Sequence, residues 1–203
     1  MASLLHLQHI SVNTVCMENE ASNTLSRDDW VNAAYAAFET SGIQAVKADR
    51  LAKALGITRG SFYWHFKNIS DLMQAVLKKW KTQQTDTIIN SIEQTGGTAQ
   101  DRLLRLLKLC AEDDGAFEMG IRNVMPTDER IAEIVAEVDT LRTAYIADLL
   151  VEMGKRRKFA HQLGAVAYSA WLGEYSGAVG RPREARVNNM VVLYRLLTDQ
   201  PAH

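Results

Sequence analysis

The stretch Leu51-Ala-Lys-Ala-Leu-Gly-Ile-Thr-Arg-Gly-Ser-Phe-Tyr-Trp-His-Phe-Lys-Asn68 is the most informative part of this chain. Its first five residues have the apolar spacing of a helical turn, and Gly56 stands where a helix commonly ends in a left-handed residue. A short second helix is expected next, because Thr58 is a suitable N-cap and Phe62 and Phe66 are spaced to anchor one face to a core. The pattern predicts a helix-turn-helix.

The other side chains of the second helix point away from that anchor, as in a helix-turn-helix whose second helix meets base edges in the major groove. Arg59 is the candidate base reader, since a guanidinium pairs bidentately with guanine, and a phosphate contact is the alternative. Gly60 allows a close approach of the backbone to DNA. The remaining candidates for DNA contact are Arg27, Lys47, Thr58, Ser61, Tyr63, Trp64, His65 and Lys67. Three of them have an alternative role: Thr58 as a helix cap, Trp64 as a packing residue and Lys47 as a solvated lysine.

Residues 27–80 resemble the DNA-binding domain of the TetR family of bacterial repressors. The resemblance rests on Ala34, Phe38, Gly42, Val46, Leu51-Ala52, Leu55-Gly56-Ile57, Gly60 to Asn68, and Leu72, and its most specific part is Tyr63 to Asn68. Ile69 departs from the pattern, because many relatives carry Lys or Arg there, which puts one phosphate contact in doubt. The resemblance implies a repressor that binds a palindromic operator as a homodimer and is released by a small-molecule inducer. An activator remains an alternative.

The composition favours a helical protein. The chain has 203 residues, 47% hydrophobic, with three prolines and a formal net charge of −1. Residues 27–80 nevertheless hold eight Lys or Arg against five Asp or Glu, a charge of +3 that suits phosphate contact. No apolar run reaches the ~18 residues of a membrane span, and the first residues lack a basic secretory signal. We therefore expect a cytoplasmic, nucleoid-associated protein with Cys16 and Cys110 reduced.

The periodicity predicts an all-α fold of about nine helices. Residues 1–25 are interpreted as a disordered tail, within which Met17 is an alternative start. Residues 26–71, called the head, are predicted to hold the three helices of a helix-turn-helix domain. Residues 72–203, called the body, are predicted to be a helical domain for ligand binding and dimerisation. Helix boundaries are expected at Ser26, Gly42, Asn68, Gly96-Gly97, Thr98, Pro126, Gly154 and Pro182.

The last two predicted helices, at about 158–178 and 184–198, are candidates for the dimer interface. The first carries a stripe of small residues that permits close packing, and the second is apolar on more than one face. In the TetR family the last two helices form a four-helix interface, whereas a fully intramolecular core is the alternative. The expected interface residues are Gly164, Ala167, Ala170, Gly173, Gly177, Val187, Val191 and Tyr194.

The resemblance also implies that the inducer binds in the body and changes the spacing of the two heads. The candidate lining residues are Met119, Arg122, Met125, Tyr145, Leu149, Tyr168 and Trp171, and for all of them except Arg122 ordinary core is the favoured alternative. Arg122 lies on an otherwise apolar short helix and needs an anion, for which Asp113 or Asp114 is a candidate within the chain. Cys110 lies on an apolar stripe and is expected to be an inert thiol rather than a redox sensor.

Other functional classes have little support in the sequence. The five histidines are scattered, and the chain shows no metal-ligand spacing, no phosphate-binding glycine loop and no recognisable pair of nucleophile and base. We therefore expect no catalytic residues, no metal and no cofactor. A helical interaction module without specific DNA binding is the remaining alternative. The salt dependence of DNA binding separates that module from a regulator.

Overall fold

The structure, a computed structural model, describes residues 25–124, 126, 128–176 and 181–198. The predicted tail, apart from Leu25, and the alternative start at Met17 lie outside these ranges. The helices are α1 (Arg27–Ser41), α2 (Ala48–Ala54), α3 (Phe62–His65), α4 (Ile69–Lys81), α5 (Thr87–Thr95), α6 (Ala99–Glu112), α7 (Ala116–Val124), α8 (Glu129–Glu152), α9 (Arg157–Tyr175) and α10 (Arg183–Thr198). Because α4 and α5 are continuous through a π turn, the described residues form nine helical rods, which confirms the all-α prediction.

The predicted helix starts are made by side-chain caps. Ser26 and Asp29 form a reciprocal capping box at α1, and Thr98 and Asp101 form another at α6. The side chain of Asn68 accepts a hydrogen bond from the backbone of Asp71 and so opens α4. These caps satisfy amide groups that have no partner inside the helix, and they can be read directly from the sequence.

The turn between α2 and α3 is fixed by backbone hydrogen bonds around Gly56. The amide of Ile57 donates to the carbonyl of Ala52 at 3.0 Å, and the amide of Gly56 donates to that of Lys53 at 3.3 Å. Gly56 itself has a φ of +71°, so this pair of bonds is a Schellman motif with a left-handed glycine. The predicted turn is therefore confirmed, and it sets the angle at which α3 leaves α2.

The rod that leaves the head contains a π turn at Thr82–Asp86, where the sequence predicts an uninterrupted helix. The amide of Thr87 donates to the carbonyl of Thr82, five residues earlier, instead of the usual four. Apolar periodicity does not reveal this interruption, because the buried positions on both sides of it still follow a helical spacing. Such single π turns occur often at functional sites.

Two apolar cores stabilise the molecule. The first core contains residues of all four helices from α1 through α4. It extends into the body through Phe117 and Ile121 of α7 and Val135 of α8. The second packs α5, α6, α8, α9 and α10 around residues such as Leu103 and Leu150. The head thus shares its core with α7 and the first half of α8, which fixes its base to the body. In the described ranges, no helix combines the length and the apolar character needed to cross a membrane.

Candidate nucleic-acid interface and body cavity

The segment that follows Gly56 presents a short, rigid surface. A 3-10 turn (Arg59–Ser61) runs into the single helical turn of α3, and Phe66 then leaves the helix in an extended conformation. Phe62 and Phe66 are almost completely buried, and the ring of Phe62 meets the ring of Trp30 edge-on at 5.3 Å. The two phenylalanines therefore anchor the segment to the head as predicted, and they leave its other face towards solvent.

Several predicted DNA-contact residues lie exposed on this face. The side chains of Tyr63 and Trp64 are 56% and 87% exposed, and Arg59 and Lys67 are exposed beside them. Ser61 and His65 are half-buried. An indole with so little contact to its own chain contributes almost nothing to folding, so its exposure indicates a surface that meets a partner.

Arg59 is oriented by two neighbours before any DNA is bound. Its Nη2 donates to the hydroxyl of Tyr63 at 3.1 Å, and its Nε lies 3.2 Å from a carboxylate oxygen of Asp49 on α2. The Tyr63 hydrogen bond and the Asp49 charge raise the pKa of the Arg59 guanidinium above its ordinary value. Asp49 was not among the predicted site residues, because a lone carboxylate on a preceding helix carries no motif.

Gly60 has open space where a side chain would be. A Cβ built there would lie 3.7 Å from the Thr58 hydroxyl, an ordinary contact, and its φ is not in the left-handed range. No protein contact in the structure therefore requires a glycine at this position. Thr58 occupies the N-cap position of the 3-10 turn without making a side-chain cap hydrogen bond, so its hydroxyl is also available.

The two outlying candidates flank this surface. Arg27 lies at the start of α1 with its guanidinium carbon 4.5 Å from the centroid of the Phe66 ring, so it contacts one of the two phenylalanines that anchor α3. Lys47 is exposed at the N-cap position of α2. Both cations thus stand at helix ends in the head, in positions that suit contact with the DNA backbone.

The predicted dimer residues divide into packed and exposed groups. A Cβ added to Gly164 would lie 2.9 Å from the carbonyl oxygen of Thr143, so Gly164 packs against α8, and Ala167 is also completely buried within the chain. Ala170 and Gly173 are exposed on α9, whereas Val187, Val191 and Tyr194 of α10 are half-buried. Gly177 lies outside the described residues. Gly164 therefore serves contact between α8 and α9, and Ala167 belongs to the core of one chain.

Large apolar side chains that the sequence analysis did not single out are exposed on these two helices. Phe159 and Val166 are 41% and 61% exposed on α9, and Val192 and Leu196 are 52% and 61% exposed on α10. The spacings of seven residues on α9 and four on α10 place each pair on one helix face. Such stripes at the end of a helical body are typical of an interface.

The body contains a cavity of about 180 Å³ between the two cores. Helices from both the head and the body form its wall, which is rich in aromatic rings and carboxylates. The lining includes Tyr35 and Glu39 of α1, Trp80 of α4, Gln84 and Thr85 of the π turn, Cys110 of α6, Asp113 and Asp114 of the following loop, Phe117 and Glu118 of α7, Arg142 and Tyr145 of α8, and Tyr168, Trp171 and Tyr175 of α9.

Three of the seven predicted lining residues border this cavity, namely Tyr145, Tyr168 and Trp171. Leu149 is buried in the second core, and Met119 and Arg122 do not line the cavity. Met125 lies outside the described residues. The sequence analysis missed aromatic lining residues such as Tyr35 of α1 and Trp80 of α4. These two helices are distant in the sequence from the predicted lining residues, and no local motif marks their side chains as part of a cavity.

Arg122 belongs to a buried ionic network instead. Its guanidinium donates to Asp139 at 2.6 and 3.1 Å and to Glu118 at 2.6 and 2.9 Å. Burial alone would lower the pKa of Arg122, but the Asp139 hydrogen bond and the Glu118 charge raise it above its ordinary value. The suggested partners Asp113 and Asp114 were wrong: their carboxylates accept hydrogen bonds from the backbone amides of Gly115 and Ala116.

Cys110 is a free thiol at the cavity wall. Burial raises the pKa of this thiol to about 12, so at neutral pH almost none of it is the reactive thiolate. Its backbone carbonyl accepts hydrogen bonds from the Tyr175 hydroxyl at 2.7 Å and the Trp171 indole at 3.2 Å. In the ranges that the structure describes, no three His, Cys, Asp or Glu residues are grouped to hold a metal ion.

Comparison with known proteins identifies the head. Residues 31–76 match the family described as bacterial regulatory proteins, tetR family. The HTH-type transcriptional regulator AcrR of Shigella flexneri is 33% identical over 69 residues, which are 34% of this chain and 30% of that protein. TtgR of Pseudomonas putida is 38% identical over 60 residues, 30% of this chain and 28% of that protein. The matches thus cover less than a third of the length of either relative.

Solved structures extend the likeness to the fold of the body. A transcriptional regulator from Rhodococcus sp. Rha1 superposes with a TM-score of 0.72 over 86% of this chain and 97% of its own, at 15% identity. A regulator from Saccharomonospora viridis in complex with choline has a TM-score of 0.73 over 82% and 93% of the two chains, at 16% identity. FadR from Bacillus subtilis, in complex with stearoyl-CoA, has a TM-score of 0.57 over 85% and 98%, at 17% identity. At such identities the likeness concerns the fold alone.

Proposed function

We propose that this chain, whose residues 31–76 match the tetR family of bacterial regulatory proteins, is a repressor that binds a palindromic operator as a homodimer. A small molecule that occupies the body cavity would release it from the operator. The observation that carries the proposal is the exposed set of Arg59, Tyr63, Trp64 and Lys67 on one face of a segment that Phe62 and Phe66 anchor. Such a protein acts at the nucleoid in the cytoplasm.

The face that exposes Arg59, Tyr63, Trp64 and Lys67 is called the reading face. The proposed role of each of its residues follows from side-chain chemistry. Arg59 is held in one orientation by Tyr63 and Asp49, which suits bidentate recognition of a guanine. Gly60 lets the backbone come close to the DNA. The other polar residues of the face, together with Arg27 and Lys47, would bind phosphates and so fix the orientation of the head on the duplex.

Dimerisation is needed because one reading segment makes few base contacts. Two heads on a symmetric dimer would bind half-sites about 34–36 Å apart, one helical turn of DNA. We assign the interface to the exposed stripes of α9 and α10 around Val166 and Leu196, with Ala170 and Gly173 allowing close approach. Gly164, which packs against α8, and Ala167, which is completely buried within the chain, are left out of this assignment.

The cavity is the proposed effector site. Its wall combines aromatic rings with four carboxylates and a single guanidinium, that of Arg142, which Glu118 already pairs. Such a wall favours an apolar, ring-containing molecule that is neutral or cationic over an anionic one. The complexes of two fold neighbours with choline and stearoyl-CoA support ligand binding in this type of body, although they concern those proteins only.

The central experiment is selection of bound sequences from random duplex DNA, followed by titration of the selected duplex at several salt concentrations. We expect a palindromic consensus and an affinity that falls steeply with salt, because phosphate contacts release counterions. No enrichment, together with salt-insensitive binding, would contradict the proposal and favour a helical interaction module.

The dimer is tested separately by charge substitution. Val166→Glu and Leu196→Glu should yield monomers in sedimentation and bind the palindrome poorly, because each buries a carboxylate in an apolar contact. The control is Leu141→Glu on α8, outside the two stripes, where the leucine is 38% exposed compared with 61% for Val166 and Leu196. Intact dimers in both variants would refute the interface assignment. The earlier candidate Val191 is half-buried, so a charge there would disturb folding as well as assembly.

A further inference from the structure

The π turn at Thr82–Asp86 lies where the rod passes from the head to the body. Residues before it, in α4, pack in the first core with the head, and residues after it, in α5, belong to the second core. A π turn changes the direction and rotation of a helix, and it leaves backbone groups that need partners elsewhere. The conformation of these five residues is therefore one determinant of how the head is oriented on the body, in addition to the core that the head shares with α7 and α8.

Arg142 of α8 makes two hydrogen bonds to the π turn, one to a backbone carbonyl and one to a side chain. Its Nε donates to the hydroxyl of Thr85 at 2.9 Å, and its Nη2 donates to the backbone carbonyl of Gln84 at 3.2 Å. Thr85 is 1% exposed, so its hydroxyl depends on this contact rather than on solvent. The ion pair between Lys81 of α4 and Glu137 of α8 is more exposed to water than Arg142 is.

The guanidinium of Arg142 is itself held in place. Its Nη1 donates to Glu118 at 2.9 Å, and its central carbon lies 5.1 Å from the Trp80 ring centroid and 5.2 Å from that of Trp171. Burial alone would lower the pKa of Arg142, but the Glu118 charge raises it above its ordinary value, so the side chain stays charged. A charged planar group between two indoles has little freedom to reorient.

The same residues form part of the cavity wall. Trp80, Gln84, Thr85, Arg142 and Trp171 all line it, so an occupant of the cavity would touch both the π turn and the arginine that holds it. We propose that Arg142 is a positioning residue that fixes the π turn and thereby the orientation of the head, and that an effector acts by disturbing this contact. This inference rests on the proposed function for its effector and operator, but the contact itself can be tested without either.

The test uses three substitutions. Arg142→Met keeps a long apolar side chain between the indoles and removes every hydrogen bond to the π turn. Thr85→Val removes only the hydroxyl and leaves Arg142 paired with Glu118, so it remains informative if the first variant folds poorly. The matched control is Arg105→Met, because Arg105 also donates to backbone carbonyls near the end of the same rod, those of Ile92 and Gly96, but lies outside the cavity.

The first measurement is the distance between spin labels at Lys53→Cys in α2 and Lys108→Cys in α6, with the native cysteines replaced. Both lysines are exposed, one in the head and one in the body. We expect one narrow distance distribution for the parent and Arg105→Met proteins, and a shifted or broadened distribution for Arg142→Met and Thr85→Val. Unchanged distributions in both test variants would overturn the proposal, whether or not the protein binds an operator.

The second measurement uses the selected operator with the separation of its half-sites lengthened or shortened by one base pair. A variant that is merely less stable would bind every operator more weakly by the same factor. If the head is no longer held in one orientation, the affinity for the selected operator should fall from about tenfold above that for the altered operators towards the same value. Binding to a single half-site should stay unchanged. A spacing preference identical to that of the parent protein in both test variants would contradict the inference, whereas a parent that binds none of the duplexes would contradict the proposed function.

Discussion

The reading face of the head and the cavity of the body use the same kinds of residue in opposite ways. Tyr63, Trp64 and Lys67 come from one short segment and face water, whereas Tyr35, Trp80 and Trp171 come from helices far apart in the chain and turn inward. A surface for a large partner needs exposed groups on one rigid element. A cavity for a small molecule needs walls from many elements, so its residues are distributed along the sequence.

Glycines show the same contrast. Gly60 in the head has free space where a Cβ would be, so no contact within the described part of the chain requires a glycine there. Gly115 in the body has a φ of +73°, and a Cβ there would lie 2.2 Å from the ring of Tyr175. One glycine is therefore expected to serve binding and the other to serve folding.

Gly115→Ala should have the largest effect, on stability. Left-handed strain costs about 1–2 kcal/mol and overpacking about 1–3 kcal/mol, so we expect the free energy of unfolding to fall by about 3 kcal/mol. The Tyr175 ring cannot move aside easily, because its hydroxyl donates to the Cys110 carbonyl and accepts from Trp171. Urea unfolding measures the loss. Gly154→Ala is the control, since Gly154 has a φ of +92° but nothing near its Cβ position, and equal losses in the two variants would refute the packing argument.

Arg59→Ala should leave unfolding unchanged and weaken operator binding by about 1–3 kcal/mol, chiefly at one base pair. The reason is that a bidentate contact to guanine is lost while the anchors Phe62 and Phe66 remain. Competition between the operator and its single-base variants measures the effect. A uniform loss across all variants would mean that Arg59 binds a phosphate instead, and no loss would remove this segment from the role of reader.

Gly60→Ala reverses the pattern seen at Gly115. The fold should accept the methyl group, and unfolding should be unchanged or favoured by about 0.4–1 kcal/mol, because alanine restricts the unfolded chain. Operator affinity should fall by about tenfold, or ~1.4 kcal/mol, if the backbone approaches the DNA closely. Calorimetric unfolding and DNA titration on the same preparation separate the two effects. Full operator affinity would show that the space at Gly60 is not used by DNA.

Lys67→Ala should have the smallest effect. The loss of one phosphate contact should weaken specific and unrelated duplexes alike and reduce the salt dependence of binding by about one counterion. Lys108→Ala, an exposed body lysine far from the reading segment in the sequence, is the charge-matched control. An unchanged slope of log affinity against log salt concentration would mean that Lys67 stays in solvent in the complex.

The head could be predicted largely residue by residue because its structure is local. The capping box at Ser26 and the left-handed Gly56 act within a few residues of their partners, so the sequence shows their geometry directly. The spacing of Phe62 and Phe66 places both rings on one helix face, although the core that they enter includes Trp30, which is distant in the sequence. The helix lengths of the body could also be predicted, from the apolar periodicity and from the Gly and Pro residues that end the helices.

The arrangement of the body could not be predicted in that way. The π turn contacts Arg142, which follows Thr85 by 57 residues. Arg122 pairs with Asp139 of another helix in addition to the local Glu118, and not with the predicted Asp113 or Asp114. Gly164 and Ala167 have the composition of an interface stripe, but only the packing of α9 on α8 shows that they are used within the chain. These are tertiary contacts, for which sequence spacing carries no signal.

Trp64 makes the reading face visible to fluorescence without any label. The chain has four tryptophans, of which Trp30 and Trp80 are buried and Trp171 is half-buried, so emission at the longest wavelengths comes mainly from Trp64. Water-soluble quenchers such as iodide will reach this indole first. Docking of a duplex over the face would shield it, and the change in its emission would follow association on the millisecond scale.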